Sequence, residues 1–318
     1  MPSKRTTAAL LGAAGVGAVA VVARRRLARP APAVAPLEHD PQLPLAGDER
    51  ELVMDDGGVI SLTDAGPRDG VPVVLIHGWV NDRRVWSDVA PRLVETGHRV
   101  IAYDQRGHRR SRVGTAESTI SRLGDDLLAV LDQLDVRNAV VAGHSMGGMA
   151  TQAMLIDHPE QERVRAIVLV ATGAAGVGLP RRVQALGAAV IGWRTGDSFV
   201  ARDAIGTAIV RGAFGSHPRP EHVLTCRDML LGTPVDVRLA FFAAMNVMDL
   251  RDGLGNVEVP TAIIVGTRDT LTPPSRARVI NAAISGSTLD VLPGRGHMLP
   301  WEAPDEVTHL IEVAAKAS

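Results

Sequence analysis

Residues 139–157 read AVVAGHSMGGMATQAMLID. A four-residue apolar run leads into Gly143-His144-Ser145-Met146-Gly147-Gly148, and a helix-forming stretch follows. Glycines two positions before and after the serine allow a sharp turn between strand and helix, which holds the hydroxyl out over the end of a sheet. Ser145 is therefore a candidate nucleophile. A glycine-rich turn kept only for packing would look the same locally, so the remainder of the chain has to decide.

Outward from this turn, apolar runs recur at 71–76, 99–103, 166–170, 262–265 and 289–292. They are continuous rather than alternating, as expected of strands buried on both faces of a parallel sheet. Helical patterns fall between them at 85–95 and 119–134, the second with Ile120, Leu123, Leu127, Val130, Leu131 and Leu134 on one stripe. Strand–helix alternation predicts a doubly wound α/β domain with its functional loops at the carboxyl ends of the strands. From 173 to 252 the alternation stops and only helical patterns remain. That segment is expected to be a helical cap inserted into a core made of 36–172 and 253–318. Its last helix, 239–248, is apolar on nearly every side, with Asn246 the one polar residue. Such a helix must be covered. Phe241, Phe242, Met245 and Met248 are therefore expected to face a substrate pocket above the strand ends.

A serine nucleophile needs a base, and the base needs an orienting group. Among ten histidines, His297 alone follows the last strand in a glycine-rich loop, GRGHMLP. Asp269 follows the strand at 262–265, in GTRDTLTP. The order Ser145, Asp269, His297 suits strand-end loops of this architecture. Two backbone N–H groups must also face a developing oxyanion. Met146, at the start of the helix behind Ser145, and Trp79, in the loop His77-Gly78-Trp79, are the expected donors, with His77 bracing the loop. His217 and His222 are separated by Pro218 and Pro220, which rules out a helical ligand pair. No metal or cofactor is expected.

HGW at 77–79, DQRG at 104–107, GHSMGG at 143–148, GTRD at 266–269 and GRGH at 294–297 together resemble the α/β-hydrolases, in their serine esterase/lipase and cofactor-free haloperoxidase (perhydrolase) branch. The resemblance covers roughly 48–172 and 253–318. It implies the α/β-hydrolase fold and the Ser145–Asp269–His297 triad, and it leaves the substrate open. Two positions depart from the family. Arg109 stands where relatives carry a second glycine, and Val80 stands where perhydrolase-like members favour proline. The second departure leans toward ester hydrolysis. The expected reaction is hydrolysis of uncharged esters of short to medium acyl groups through an acyl-serine. Perhydrolysis, carbon–carbon bond hydrolysis and a ligand-sensing receptor are the alternatives.

The 34 basic and 35 acidic residues of the 318 leave a formal charge of −1, which offers no field for holding nucleic acid. The single cysteine, Cys226, excludes an internal disulfide framework. Residues 8–23, AALLGAAGVGAVAVVA, are apolar and flanked by Lys4 and Arg5 on one side and by Arg24, Arg25, Arg26 and Arg29 on the other. As a helix they would extend about 24 Å, against ~30 Å of bilayer hydrocarbon. The expectation drawn is a weak membrane anchor over 6–29 within an N-terminal segment 1–35. The arginine flank slightly favours a cytoplasmic body. Export is the alternative, since Ala31-Pro32-Ala33 imitates a cleavage site.

Overall fold

The computed structural model describes residues 40–42, 45–176 and 203–316. Eight strands form one sheet in the order β1-β2-β4-β3-β5-β6-β7-β8. They are β1 (Asp48–Val53), β2 (Val59–Ala65), β3 (Pro72–Ile76), β4 (Arg99–Tyr103), β5 (Ala139–His144), β6 (Val164–Val170), β7 (Thr261–Gly266) and β8 (Thr288–Leu292). β1 and β2 run antiparallel to their neighbours, and the other six are parallel. The period of two sorts each strand between two cores. Val73 and Leu75 of β3 pack with Ala90 and Leu93 of α1 (Ala90–Glu95) and with Val307 and Ile311 of α9 (Pro304–Lys316). Val74 and Ile76 face the other way, toward α2 (Ile120–Gln133), α3 (Met146–Asp157) and α7 (Pro274–Ala283). Both faces are thus covered, which is why these strands read as unbroken apolar runs.

The first pair was not visible in the sequence. β1, DERELV, is exposed at nearly every position. β2 is buried throughout yet carries Ser61, Thr63 and Asp64. Asp64 is held by Arg99 at 2.8 and 3.0 Å, and Ser61 N–H donates to Ser111 Oγ at 2.8 Å. Polar partners supplied from distant segments make this strand, so no apolar run announces it. The helix expected over 85–95 is broken into a 3₁₀ turn, Arg83–Trp86, and α1, whose Pro91 fits only a first turn.

Between β6 and β7 lie, among the described residues, α4 (Asp203–Arg211), α5 (Pro220–Gly232) and α6 (Val235–Val247). Most of the expected insertion before α4, residues 177–202, lies outside the described residues. α6 is not covered all round: Val247 is 76% exposed and Ala243 is exposed one turn earlier. Its Val237, Phe241 and Ala244 pack on Ile120, Leu123, Met146 and Met149 of α2 and α3. α8 (Leu299–Glu302) is one turn preceding α9.

The membrane expectation is corrected. Among the described residues no single helix is long and apolar enough to cross a membrane, and the helix pair that passes together, α5 with α6, is bent by 99°. The segment 6–29 lies outside the described residues. Its sixteen apolar residues, mostly alanine, glycine and valine, fall short of a span by length. The transmembrane assignment and the cytoplasmic-face localisation built on it are withdrawn.

Candidate active site

β3 pairs with β4 on one side and β5 on the other, so the chain order reverses direction between β3 and β5. A crevice opens at such a switch point, beyond the carboxyl ends of the strands. The loop 77–79 follows β3 and Ser145 follows β5, so the topology brings both to that crevice.

Ser145 has φ 53° and ψ −116°, a conformation that a residue with a side chain rarely adopts. The flanking glycines make it possible. A Cβ on Gly143 would come within 2.6 Å of the Gly147 carbonyl and the Gly148 nitrogen, and one on Gly147 within 2.5 Å of the Ile76 carbonyl. Both obstacles are backbone and cannot swing aside. The turn is further held by Ser145 N–H donating to the Val170 carbonyl at 2.9 Å, and by the Thr172 hydroxyl donating to the Ser145 carbonyl at 2.7 Å.

His297 donates from Nδ1 to Asp269 Oδ2 at 2.8 Å. A carboxylate only accepts, so this bond puts the proton on Nδ1 and leaves Nε2 as the basic nitrogen. Asp269 Oδ1 accepts the N–H groups of Leu271 at 2.9 Å and Thr272 at 2.8 Å, and the Thr272 hydroxyl lies 2.8 Å from Oδ2. Burial pushes the Asp269 carboxyl up, but the His297 imidazole and the Thr272 donors outweigh it and hold it below the usual carboxylate value. Ser145, Asp269 and His297 are 8%, 3% and 5% exposed.

Several bracing residues were missed or half-read in the sequence. His144, the residue before the serine, donates from Nε2 to the His297 carbonyl at 2.9 Å and so ties the two loops together. Glu302 accepts N–H bonds from Gly296 (3.0 and 3.1 Å) and Met298 (3.1 Å), on either side of His297, and from Gly215 of the insertion at 2.6 Å. Burial raises its carboxyl above the ordinary value, against the pull of those amides. The sequence signal was no more than an acidic residue five positions after the histidine.

The loop 77–79 is fixed by its own histidine. His77 donates from Nδ1 to the Gly78 carbonyl at 2.7 Å and accepts from Gln105 N–H at Nε2 at 2.8 Å; Gln105 Nε2 donates back to the His77 carbonyl at 2.6 Å. Burial pushes the His77 imidazole down to about 3, so it stays neutral. Arg106 of the same motif is clamped by Asp126 at 2.6 Å twice and by Asp56 at 2.9 Å. A Cβ on Gly78 would stand 3.0 Å from Ser145 Cβ, so the backbone of this loop runs directly beside the serine. Among the described residues neither the Trp79 nor the Met146 N–H has a hydrogen-bond partner. The two departures from the family are both at positive φ. Arg109, at 48°, takes a left-handed conformation that favours glycine. Val80, at 54°, takes one that proline, fixed near −65°, cannot adopt.

Over the serine lies a mostly apolar cavity of about 400 Å³, within the range of small-molecule sites. Trp79, Ser145, Met149, Val210, Phe242, Met245 and His297 are in its wall. Of the four expected pocket residues, Phe242 and Met245 therefore reach it. Phe241 does not: it is fully buried, tilted on the His108 ring at 5.9 Å. Met248 packs beside it against the same cluster. Successive helix residues point about 100° apart, so one stripe of α6 seats the helix and the other faces the cavity. The wall also holds Arg276, at the start of α7, which the sequence reading did not assign to the pocket.

Residues 69–304 match the family model described as serine aminopeptidase, S33. A putative non-heme haloperoxidase of Mycobacterium phage D29 is 30% identical over 244 residues, covering 74% of this chain and 85% of that protein. 3-Oxoadipate enol-lactonase 2 of Acinetobacter baylyi is 30% identical over 217 residues, 68% of this chain and 78% of the relative. A non-heme chloroperoxidase of Streptomyces lividans is 40% identical over 115 residues, though the match spans only 36% of this chain and 41% of that protein. The structure of an esterase from Exiguobacterium antarcticum superposes with TM-score 0.72 at 25% identity, covering 84% of this chain and 99% of that one. The match spans both halves of the core around the insertion, and the chain belongs to the serine aminopeptidase S33 family of the α/β-hydrolases, as a hydrolase with that superfamily's fold.

Proposed function

We propose that the protein hydrolyses carboxylic esters or lactones by way of an acyl-serine. The observation that carries this reading is the convergence of three features on one cavity: a strained serine in its wall, a histidine oriented by a buried aspartate, and two amides beside the serine that have no hydrogen-bond partner among the described residues. Ser145 Oγ attacks the carbonyl carbon while His297 Nε2 takes its proton. Trp79 and Met146 N–H groups receive the oxyanion. The tetrahedral intermediate collapses with loss of the alcohol, which leaves with the proton from His297. Water, activated by the same nitrogen, then releases the acid and restores the serine. Asp269 keeps the imidazole in its tautomer throughout and stabilises its cationic form.

The described part of the insertion, α4 to α6, forms on this reading a cap over the core, with Phe242 and Met245 against the acyl group and Phe241 and Met248 seating their helix. Hydrolysis is favoured over the perhydrolysis suggested by haloperoxidase relatives because Val80 occupies a backbone conformation closed to proline. The test is a chain-length series of nitrophenyl esters. Each methylene buried against the cavity wall is worth about 0.8 kcal/mol, or roughly fourfold in kcat/KM. The rate should climb over the first several carbons; a flat or falling series from acetate onward would remove the acyl-pocket assignment.

A further inference from the structure

We infer that the preferred substrate carries a carboxylate besides its ester, and that Arg276 receives it. This rests on the ester-hydrolase reading and narrows it. Arg276 is the one charged residue in the wall of the cavity among the described residues. Its Nη1 donates to the Ala175 carbonyl, and its stem lies against Gly173, where a Cβ would stand 3.3 Å from Arg276 Cδ. Gly173 directly follows Thr172, whose hydroxyl holds the Ser145 carbonyl. The guanidinium is therefore fastened one residue away from the brace of the candidate nucleophile.

No carboxylate pairs with Arg276 among the described residues, although nearly every other arginine near the core is matched: Arg83 with Glu49, Arg99 with Asp64, Arg106 with Asp126. A half-buried guanidinium loses part of its hydration, and one carbonyl satisfies only one of its five donors. The remaining donors form a planar fork suited to a carboxylate, held in a mostly apolar cavity where a charge-assisted bond is strong. An apolar chain along Phe242 and Met245 that ends in a carboxylate would satisfy both features of the wall.

The experiment compares mono-nitrophenyl hemiesters of succinate, glutarate and adipate with their methyl-capped neutral counterparts. 4-Acetoxybenzoate against its methyl ester moves the charge to the leaving group. The readout is the ratio of kcat/KM, charged over neutral, in the wild type, Arg276→Gln and Arg276→Lys, so that a general loss of activity cancels. A hydrogen bond to a charged group corresponds to about ten- to a hundredfold. The ratio should exceed one by that factor for at least one charge position, collapse in Arg276→Gln and be partly restored in Arg276→Lys, with the effect in KM. Ratios at or below one in every arm, or an unchanged ratio in Arg276→Gln, overturn the inference while leaving the ester-hydrolase reading intact. Failure to turn over any ester would instead strike that reading. Free glutarate then tests Arg276 independently: it should raise the unfolding midpoint of the wild type and not of Arg276→Gln, and equal shifts refute the assignment.

Discussion

Replacing Glu302 with glutamine separates the buried brace behind His297 from the chemistry in front of it. The carboxylate accepts from three backbone amides, Gly296 and Met298 around the histidine and Gly215 in the insertion. Glutamine has the same shape but one acceptor oxygen. Turned toward Gly296 and Met298, it keeps those bonds and sets its NH₂ against the Gly215 amide, which is 2.6 Å from Oε2 in the wild type. Leaving that N–H without an acceptor costs about 2–3 kcal/mol. For a chain of this size that lowers the thermal midpoint by about 3–5 °C. Turned the other way, it keeps Gly215 and loses the histidine loop, and a displacement near 1 Å of His297 lowers kcat by up to about a hundredfold. Both orientations predict a measurable loss, read by calorimetry and by ester turnover on the same sample. If Glu302→Gln melted with the wild type and turned over at an equal rate, the carboxylate would not be holding the loop.

Asp269→Asn removes the acceptor that fixes Nδ1–H and can present an NH₂ to the imidazole, favouring the wrong tautomer. Ester kcat should fall by about 10⁴ with the fold retained by circular dichroism; a loss under tenfold would mean His297 is oriented by something else. A second expectation concerns acid. Burial pushes His77 and His144 down to about 3 and His108 to about 4, so the folded protein keeps them neutral while the unfolded chain protonates near 6.5. Between those values the unfolded state binds more protons, so stability is full above about 6.5 and falls as the pH drops toward 3–4. Each should cost about 2 kcal/mol between pH 7 and 5, read as a lowered urea midpoint; a midpoint independent of pH over that range would contradict neutral burial.

What the sequence made legible is whatever the backbone alone imposes. The parallel strands had to be continuous apolar runs because both faces are buried, and the glycines around Ser145 could not be anything larger. The β1–β2 pair was hidden because its buried positions are satisfied by partners far along the chain, Arg99 for Asp64 and Ser111 for Ser61. The same holds at the site. Asp269 and His297 sit in loops directly after strands, where a local pattern points to them, whereas His144, Thr272 and Glu302 act through contacts between loops that no local pattern records. Phe241 and Phe242 are neighbours with opposite fates, one in the seat of α6 and one in the cavity wall, because apolarity on a helix does not say which stripe faces the substrate. Arg276 was passed over for a related reason: in a chain where nearly all basic residues are arginine, only its place in the cavity distinguishes it.

In the proposed mechanism Ser145 is the nucleophile. Intact protein treated with a fluorophosphonate and analysed by peptide mass spectrometry tests it, with Ser145→Ala run in parallel on a short-chain nitrophenyl ester. One adduct per chain should form on the peptide carrying Ser145, activity should fall in proportion to labelling, and Ser145→Ala should take no label and lose about four to six orders of magnitude in kcat. An adduct elsewhere, or more than a few per cent of ester hydrolysis surviving in folded Ser145→Ala, would contradict the account.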